Sequence, residues 1–192
     1  MQARIGEGTS TTRCSPVLYK SKYGASKQYA EWIAEDLNCI AIDVKNAIPD
    51  DLENYYDTII LGGGLYANSI AGASLIVKKF EKLKNKNLIF FSVGITPLDC
   101  RDYYDKLVIE KTFPENMRND IKVFNFLGKM LTDELTMPHK AALKMLKGIM
   151  QKKENPTEME KMLVDLCDYN KSEIDRKQIN DLVNFVKDFN TN

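Results

Sequence analysis

The chain has one histidine, one tryptophan and four cysteines among 192 residues. A single histidine cannot build a multi-histidine zinc or iron centre, nor a relay of imidazoles. The cysteines, Cys14, Cys39, Cys100 and Cys167, stand singly with no C-x-x-C, which removes zinc-ribbon and thioredoxin-like readings. They are too few for a disulfide scaffold, so a reducing cytoplasm is the expected setting. Net charge is lacking as well, with 27 basic against 27 acidic side chains. That argues against nucleic acid held through overall basicity and against a disordered acidic segment. No run approaches the roughly 18 apolar residues of a membrane span. The nucleoside-triphosphate pattern G-x-x-x-x-G-K-[ST] is missing, and so is the hydrolase elbow G-x-S-x-G. What remains is 44 % hydrophobic and 28 % charged residues, the composition of a globular domain able to bury a continuous core.

Residues 1–15, MQARIGEGTSTTRCS, have no hydrophobic period and no apolar signal region. They read as an added or disordered leader, with the single domain beginning at Pro16. From there, strands alternate with helices. VLYK (17–20), CIAIDV (39–44), TIILGG (58–63), NLIFFSVG (87–94) and IKVFNF (121–126) are apolar runs of strand length, nearly continuous as in strands buried on both faces. Between them, 27–38, 70–84 and 101–112 carry apolar residues at helical spacing, and 49–54 makes a short turn or helix. Ser26 suits the N-cap of the first helix. A last helix over 176–189 turns Ile179, Leu182, Val183, Val186 and Phe189 inward. This alternation predicts an α/β doubly wound, five-stranded parallel sheet with right-handed crossovers.

One segment breaks the pattern. Residues 127–175 separate the fifth strand from the last helix, where about a dozen would suffice for a crossover. His139 to Lys153 forms a basic amphipathic helix. Lys140, Lys144, Lys147, Lys152 and Lys153 are unopposed by any acid, and Leu143, Leu146, Ile149 and Met150 share a face. Such a helix packs on its own domain with the lysines solvated, or it rests on an anionic membrane or a partner. A second helix begins at Asn155-Pro156-Thr157-Glu158, with Asn155 as N-cap, Pro156 at N1 and Glu158 at N3.

In doubly wound sheets ligands bind beyond the carboxyl ends of the strands. Three loops lie there. The first, S-K-Y-G-A-S (21–26), joins hydroxyls and a glycine to a helix N-terminus. That is either a phosphate cradle or an ordinary capped turn. The second, G-G-G-L-Y-A-N (62–68), formally contains G-x-G-x-x-A, but it follows the third strand, not the first, and no acidic residue ends the next strand. It is read either as main chain exposed to a planar ligand beside the Tyr66 ring, or as a glycine turn with a surface tyrosine. The third, S-V-G-I-T-P-L-D (92–99), closes the other side of such a slot. Cys100 beyond it is a reactive thiol or, more simply, an inert buried one. A phospho-receiver site has no acceptor, since Lys20-Ser21 and Gly62–Gly64 end the relevant strands. Asp50/Asp51 and Asp102/Asp105 sit near helix starts as caps and dipole partners.

These three loops, in this order and spacing, resemble those of the flavodoxins, over Val17 to Phe126 and again in the last helix. The resemblance implies the strand order 2-1-3-4-5 and bound FMN. It implies phosphate contacts from Ser21, Lys22, Tyr23, Gly24, Ala25 and Ser26. It implies flavin contacts from Gly63, Gly64, Leu65, Tyr66, Ala67 and Asn68, and from Ser92, Val93, Gly94, Thr96 and Pro97, with Tyr66 as stacking ring. Within that family the chain is most similar to the branch containing menaquinone-dependent protoporphyrinogen IX dehydrogenase. Asn54-Tyr55-Tyr56-Asp57, Phe91-Ser92-Val93 and the long basic insert carry that likeness. The implied function is an FMN oxidoreductase passing electrons from a reduced, protoporphyrinogen-type substrate to a quinone, with no catalytic residue identifiable. The alternative is an FMN electron-transfer protein that docks redox partner proteins. Two departures stand out: the chain is neutral where simple electron carriers are acidic, and its third loop has no aromatic residue for a second stacking ring. Metal ligands and nucleic acid are not implied. Membrane contact, if made, would be peripheral, through helix 139–153.

Overall fold

A computed structural model describes residues 14–45 and 48–189. The leader expected over 1–15 lies outside the described residues as far as 13. The strands are β1 (Cys14–Lys20), β2 (Ala41–Asp43), β3 (Thr58–Tyr66), β4 (Ser69–Ile70), β5 (Asn87–Gly94), β6 (Ile121–Leu127), β7 (Lys129–Met130) and β8 (Lys171–Ser172). Five of them pair in parallel in the order β2-β1-β3-β5-β6. Counting parallel strands alone, this is the expected 2-1-3-4-5. Strand β1 starts at Cys14 rather than at Pro16, because Cys14 pairs with Thr58 ahead of a register shift before Val17.

The apolar runs are explained by two cores, one on each face of the sheet. Successive residues of β5 alternate between them. Leu88 and Phe90 join the helices α2 (Leu52–Tyr55), α3 (Ala73–Val77) and α4 (Phe80–Leu83). Ile89 and Phe91 join α1 (Ala25–Asp36) and α8 (Asn180–Phe189). Side chains alternate faces along a strand, so a strand covered on both sides must be apolar at every position.

Several elements depart from expectation for local reasons. Helix α1 begins at Ala25, with Gly24 as the N-cap residue at φ +86°. Ser26 therefore lies inside the first turn and is not the cap. The helix expected over 70–84 is two short ones, α3 and α4, because 69–70 is drawn into β4 and Lys79 breaks the helical path. Residues 103–108 form a π-helical turn that runs into α5 (Ile109–Thr112). Strand β3 does not end at Gly63. It runs through all three glycines to Tyr66 and folds back onto β4. Ala67 and Asn68 make the turn with φ of 49° and 63°, the left-handed conformation that a tight hairpin requires.

The insert is two helices on a small base. These are α6 (Met137–Gln151) and α7 (Glu158–Cys167). The cap of α7 is Thr157, in a reciprocal capping box with Glu160, two residues beyond the Asn155 expected; Pro156 stays outside the helix. The base is the antiparallel pair β7–β8, which sequence reasoning did not foresee. It is tied to α1 by one phenol. Fully buried Tyr29 donates to the Leu127 carbonyl at 2.6 Å and accepts from the Asp175 N–H at 3.2 Å and the Gln178 amide at 2.8 Å. Both ends of the insert are thus held at the same oxygen. Tyr29→Phe leaves these groups without their partner, so we expect a loss of about 2 kcal/mol in urea unfolding. Faster proteolysis within 128–175 should accompany it. Unchanged stability would mean that water replaces the phenol.

Candidate functional site

A cleft of about 630 Å³ opens at the carboxyl ends of β1, β3 and β5, a size that suits a cofactor or drug-sized ligand. Its floor and sides come from the three sequence-predicted loops. Ser21, Tyr23, Ala25, Ser26, Gly64, Leu65, Tyr66, Ala67, Asn68, Val93, Gly94 and Thr96 all line it. At one end, Ser21 Oγ accepts from the Gly24 N–H at 3.1 Å. This closes the turn that aims the first turn of α1 into the cleft. Those first N–H groups have no carbonyl one turn earlier, and the first turn of α1 carries no acidic residue. The loop therefore presents hydroxyls, free amides and the positive end of a helix dipole, all of which attract an anion.

Five of the expected residues do not line the cleft. Ser92 is fully buried and donates to Asn125 Oδ1 at 2.6 Å. Gly63 abuts the hairpin, where an added Cβ would lie 2.0 Å from the Ala71 carbonyl oxygen. Pro97 is exposed and outside the cleft lining. Gly24 acts through its backbone conformation. Lys22 is exposed and points at the insert. Two glycines of β3 also serve packing within the protein. A Cβ on Gly62 would fall 1.8 Å from the Phe91 ring, and one on Gly64 would fall 2.9 Å from the Tyr66 ring. They make room for the protein's own aromatics.

Sequence reasoning missed the roof. The insert supplies Leu131, Leu135, His139, Leu143, Leu146, Leu163 and Leu166. The only visible signal was the apolar stripe of α6. Its Leu143 and Leu146 turn to the cleft, while Met145 and Ile149 stay exposed. His139, the chain's single histidine, is the latch between roof and floor. Its Nδ1 lies 2.6 Å from Tyr23 Oη and its Nε2 lies 3.3 Å from Lys22 Nζ. An ammonium can only donate, so in a neutral ring Nε2 accepts and Nδ1–H is donated to Tyr23. The same ring faces Tyr66, with centroids 5.9 Å apart. Thr136 N–H also donates to Tyr23 Oη, at 3.4 Å.

The third loop is held from two sides. Tyr104 donates to the Thr96 carbonyl at 2.6 Å. The π turn that carries it also sends the neighbouring Tyr103 into the cleft wall. An aromatic ring thus reaches this side from outside the loop that lacks one. Beyond the loop, Cys100 Sγ sits 3.4 Å from Met162 Sδ on α7. Burial first, then Asp99, pushes its thiol above the ordinary range. That favours the inert thiol over the reactive one. Among the described residues, no group of His, Cys, Asp or Glu converges as metal ligands would.

Tyr66 is 37 % exposed, yet burial of its phenol, with a smaller effect of Tyr23, pushes its pKa up to about 12. It is a neutral phenol throughout the physiological range. The unfolded value is near 10, so the stability linked to this group is complete below pH 10. It is lost as pH rises from 10 towards 12. Burial holds Tyr104 and Tyr169 up as well, so an ultraviolet tyrosinate titration of Tyr66→Phe should lose one of several late steps. A late amplitude equal to that of the unaltered protein would mean that Tyr66 titrates earlier.

No curated protein matches the chain. Among solved structures, one similar protein is a flavodoxin from the domain Archaea. It is 18 % identical, with TM-score 0.37, over 79 % of this chain and 94 % of that one. Another is a flavoprotein in complex with FMN from Lactobacillus acidophilus NCFM. It is 12 % identical, with TM-score 0.34, over 58 % of this chain and 90 % of that one. The flavodoxin domain family matches residues 16–159, which take in the parallel sheet from Pro16 onward, the three loops and helix α6. With that span matched and the doubly wound sheet in place, this chain belongs to the flavodoxin domain family.

Proposed function

We propose that the cleft binds FMN and that the protein is an FMN-dependent oxidoreductase. The observation that carries this reading is the single continuous cleft. It runs from an anion-attracting loop, past Tyr66 and Tyr103, to an apolar roof. The residues fit the cofactor. Ser21, Ser26 and the first amides of α1 suit its phosphate, and the slot between Gly64–Asn68 and Val93–Thr96 suits its ring system. When bound, FMN supplies one- and two-electron transfer. The chain's part is to hold the phosphate, orient the ring between the two loops and keep water off it with the roof. Tyr66 serves as a neutral face, and His139 and Tyr23 hold protons beside it.

The roof favours an enzyme over a simple carrier, because it covers the slot that a docking protein would need to approach. The finer reading is electron passage from a reduced, protoporphyrinogen-type substrate to a quinone. Peripheral contact of α6 with an anionic membrane belongs to the same proposal. It is supported by exposed Met137, Met145 and Ile149 beside Lys144. Among the described residues, no helix is long and apolar enough to cross a membrane. The second reading, an electron carrier docking redox partners, draws on that same exposed apolar face.

The test is an FMN titration followed by visible absorption, then anaerobic reoxidation of the reduced protein by a naphthoquinone. Perturbed flavin bands and saturable reoxidation are expected. Failure to bind FMN overturns the cofactor assignment. Bound FMN with no saturable reaction towards the quinone turns the reading to the carrier.

A further inference from the structure

The cleft has two kinds of wall. Around the loops it is hydroxyl, backbone and glycine, which suits a phosphate-bearing cofactor. Under the insert it is leucine on α6 and α7. A second cavity, of about 280 Å³, lies against that leucine wall and shares Leu135, Leu143 and Cys167 with the cleft. Its remaining lining is largely cationic: Lys140, Lys144 and Lys147, with Asp168 as the single acid. Lys147 is already committed, with Nζ 2.6 Å from both Asp168 oxygens. Lys140 and Lys144 have no carboxylate in ion-pair contact among the described residues. They stand one helical turn apart, on the flank of α6 next to Leu143.

This cavity joins an apolar wall, Leu135, Leu143 and Cys167, to two uncommitted ammonium groups, and so recognises a particular chemistry. Burying apolar area drives the body of a ligand against that wall, and the lysines select an anion at its edge. The phosphate of FMN does not satisfy this, since the loop at α1 already provides for it. We propose that the insert builds a second binding site, separate from the cofactor's, for a small amphiphilic carboxylate. Its apolar body lies against Leu135 and Leu143 and its carboxylate lies at Lys140 and Lys144. The site rests on the FMN reading only for the assignment of the loop end of the cleft to cofactor. In this arrangement α6 is the specificity element of the protein, and its lysines face a ligand as well as solvent.

The test uses the full chain, with and without FMN, and calorimetric titration of dodecanoate and dodecanol below their aggregation limits. Dodecanoate should bind about tenfold more tightly than dodecanol, the effect of one charge-assisted contact. The double variant Lys140→Gln/Lys144→Gln should abolish that difference and leave FMN affinity unchanged. Leu135→Asn should weaken both dodecanoate and dodecanol. Equal binding of acid and alcohol by the unaltered protein overturns the proposal. So does displacement of FMN by dodecanoate, which would put both in one place. Lysine-dependent sedimentation with phosphatidylglycerol vesicles, without dodecanoate binding, assigns the lysines to a membrane and also overturns it. A protein that binds dodecanoate through the lysines but takes up no FMN keeps this site and loses the cofactor reading.

Discussion

Ser21→Asp is expected to lower FMN affinity about 100-fold or more while leaving riboflavin affinity unchanged. Ser21 Oγ accepts from the Gly24 N–H, and an aspartate can make the same turn, so the loop keeps its shape. What changes is charge. The phosphate of FMN carries about two negative charges. One like charge about 5 Å away repels each by roughly 3 kcal/mol at an effective dielectric near 20. Riboflavin has the same ring and no phosphate, so it reports the flavin slot alone. Fluorescence titration of both ligands, with a urea unfolding curve as control, separates the cases. Parallel loss of both would mean that the substitution distorts the cleft. Unchanged FMN binding would remove the phosphate from this loop.

Gly62→Val should destabilise the whole domain by about 3 kcal/mol or more, the upper end of overpacking costs. Gly62 sits in the central strand β3, opposite Phe91 on β5. The Phe91 ring covers the place where a side chain would go, leaving 1.8 Å for a Cβ. That ring cannot swing aside. It is fully buried, and its centroid lies 5.5 Å from that of Phe126. Backbone must therefore move in a strand paired on both sides. The cause is checked by a second substitution. Gly62→Ala should cost much less when combined with Phe91→Leu than the sum of the two singles, because each removes the reason for the other's penalty. Additive unfolding energies would show that the glycine is required for another reason.

How far the site was legible follows from the range of the interactions that build it. The loop 21–26 could be read directly, since its hydroxyls, glycine and following helix act within a few residues of one another. Tyr66 was found on the same basis. The glycine run was misread as a loop. Nothing local to 62–68 reveals that Phe91, on a neighbouring strand, takes the space above Gly62. The same is true of Ser92, whose hydroxyl is claimed by Asn125 across the sheet. Tyr103 escaped notice because a π turn, not a regular helix, sends it and Tyr104 inward together.

The sequence by itself determined the class of fold and the position of the anion-attracting loop. Both depend on hydrophobic period, chain connectivity or contacts within a few residues, and these survive without coordinates. The strand order was legible only through the likeness of the three loops to those of the flavodoxins. It also marked 127–175 as surplus to the sheet. Only the tertiary structure decided what the surplus does. The insert returns over the cleft because Tyr29 fastens both of its ends at one oxygen and His139 reaches Tyr23 across 116 positions of chain. Contacts of that separation leave no periodic trace in the sequence. An amphipathic helix shows that it has an apolar face, but the surface that covers the face is set by the path of the rest of the chain.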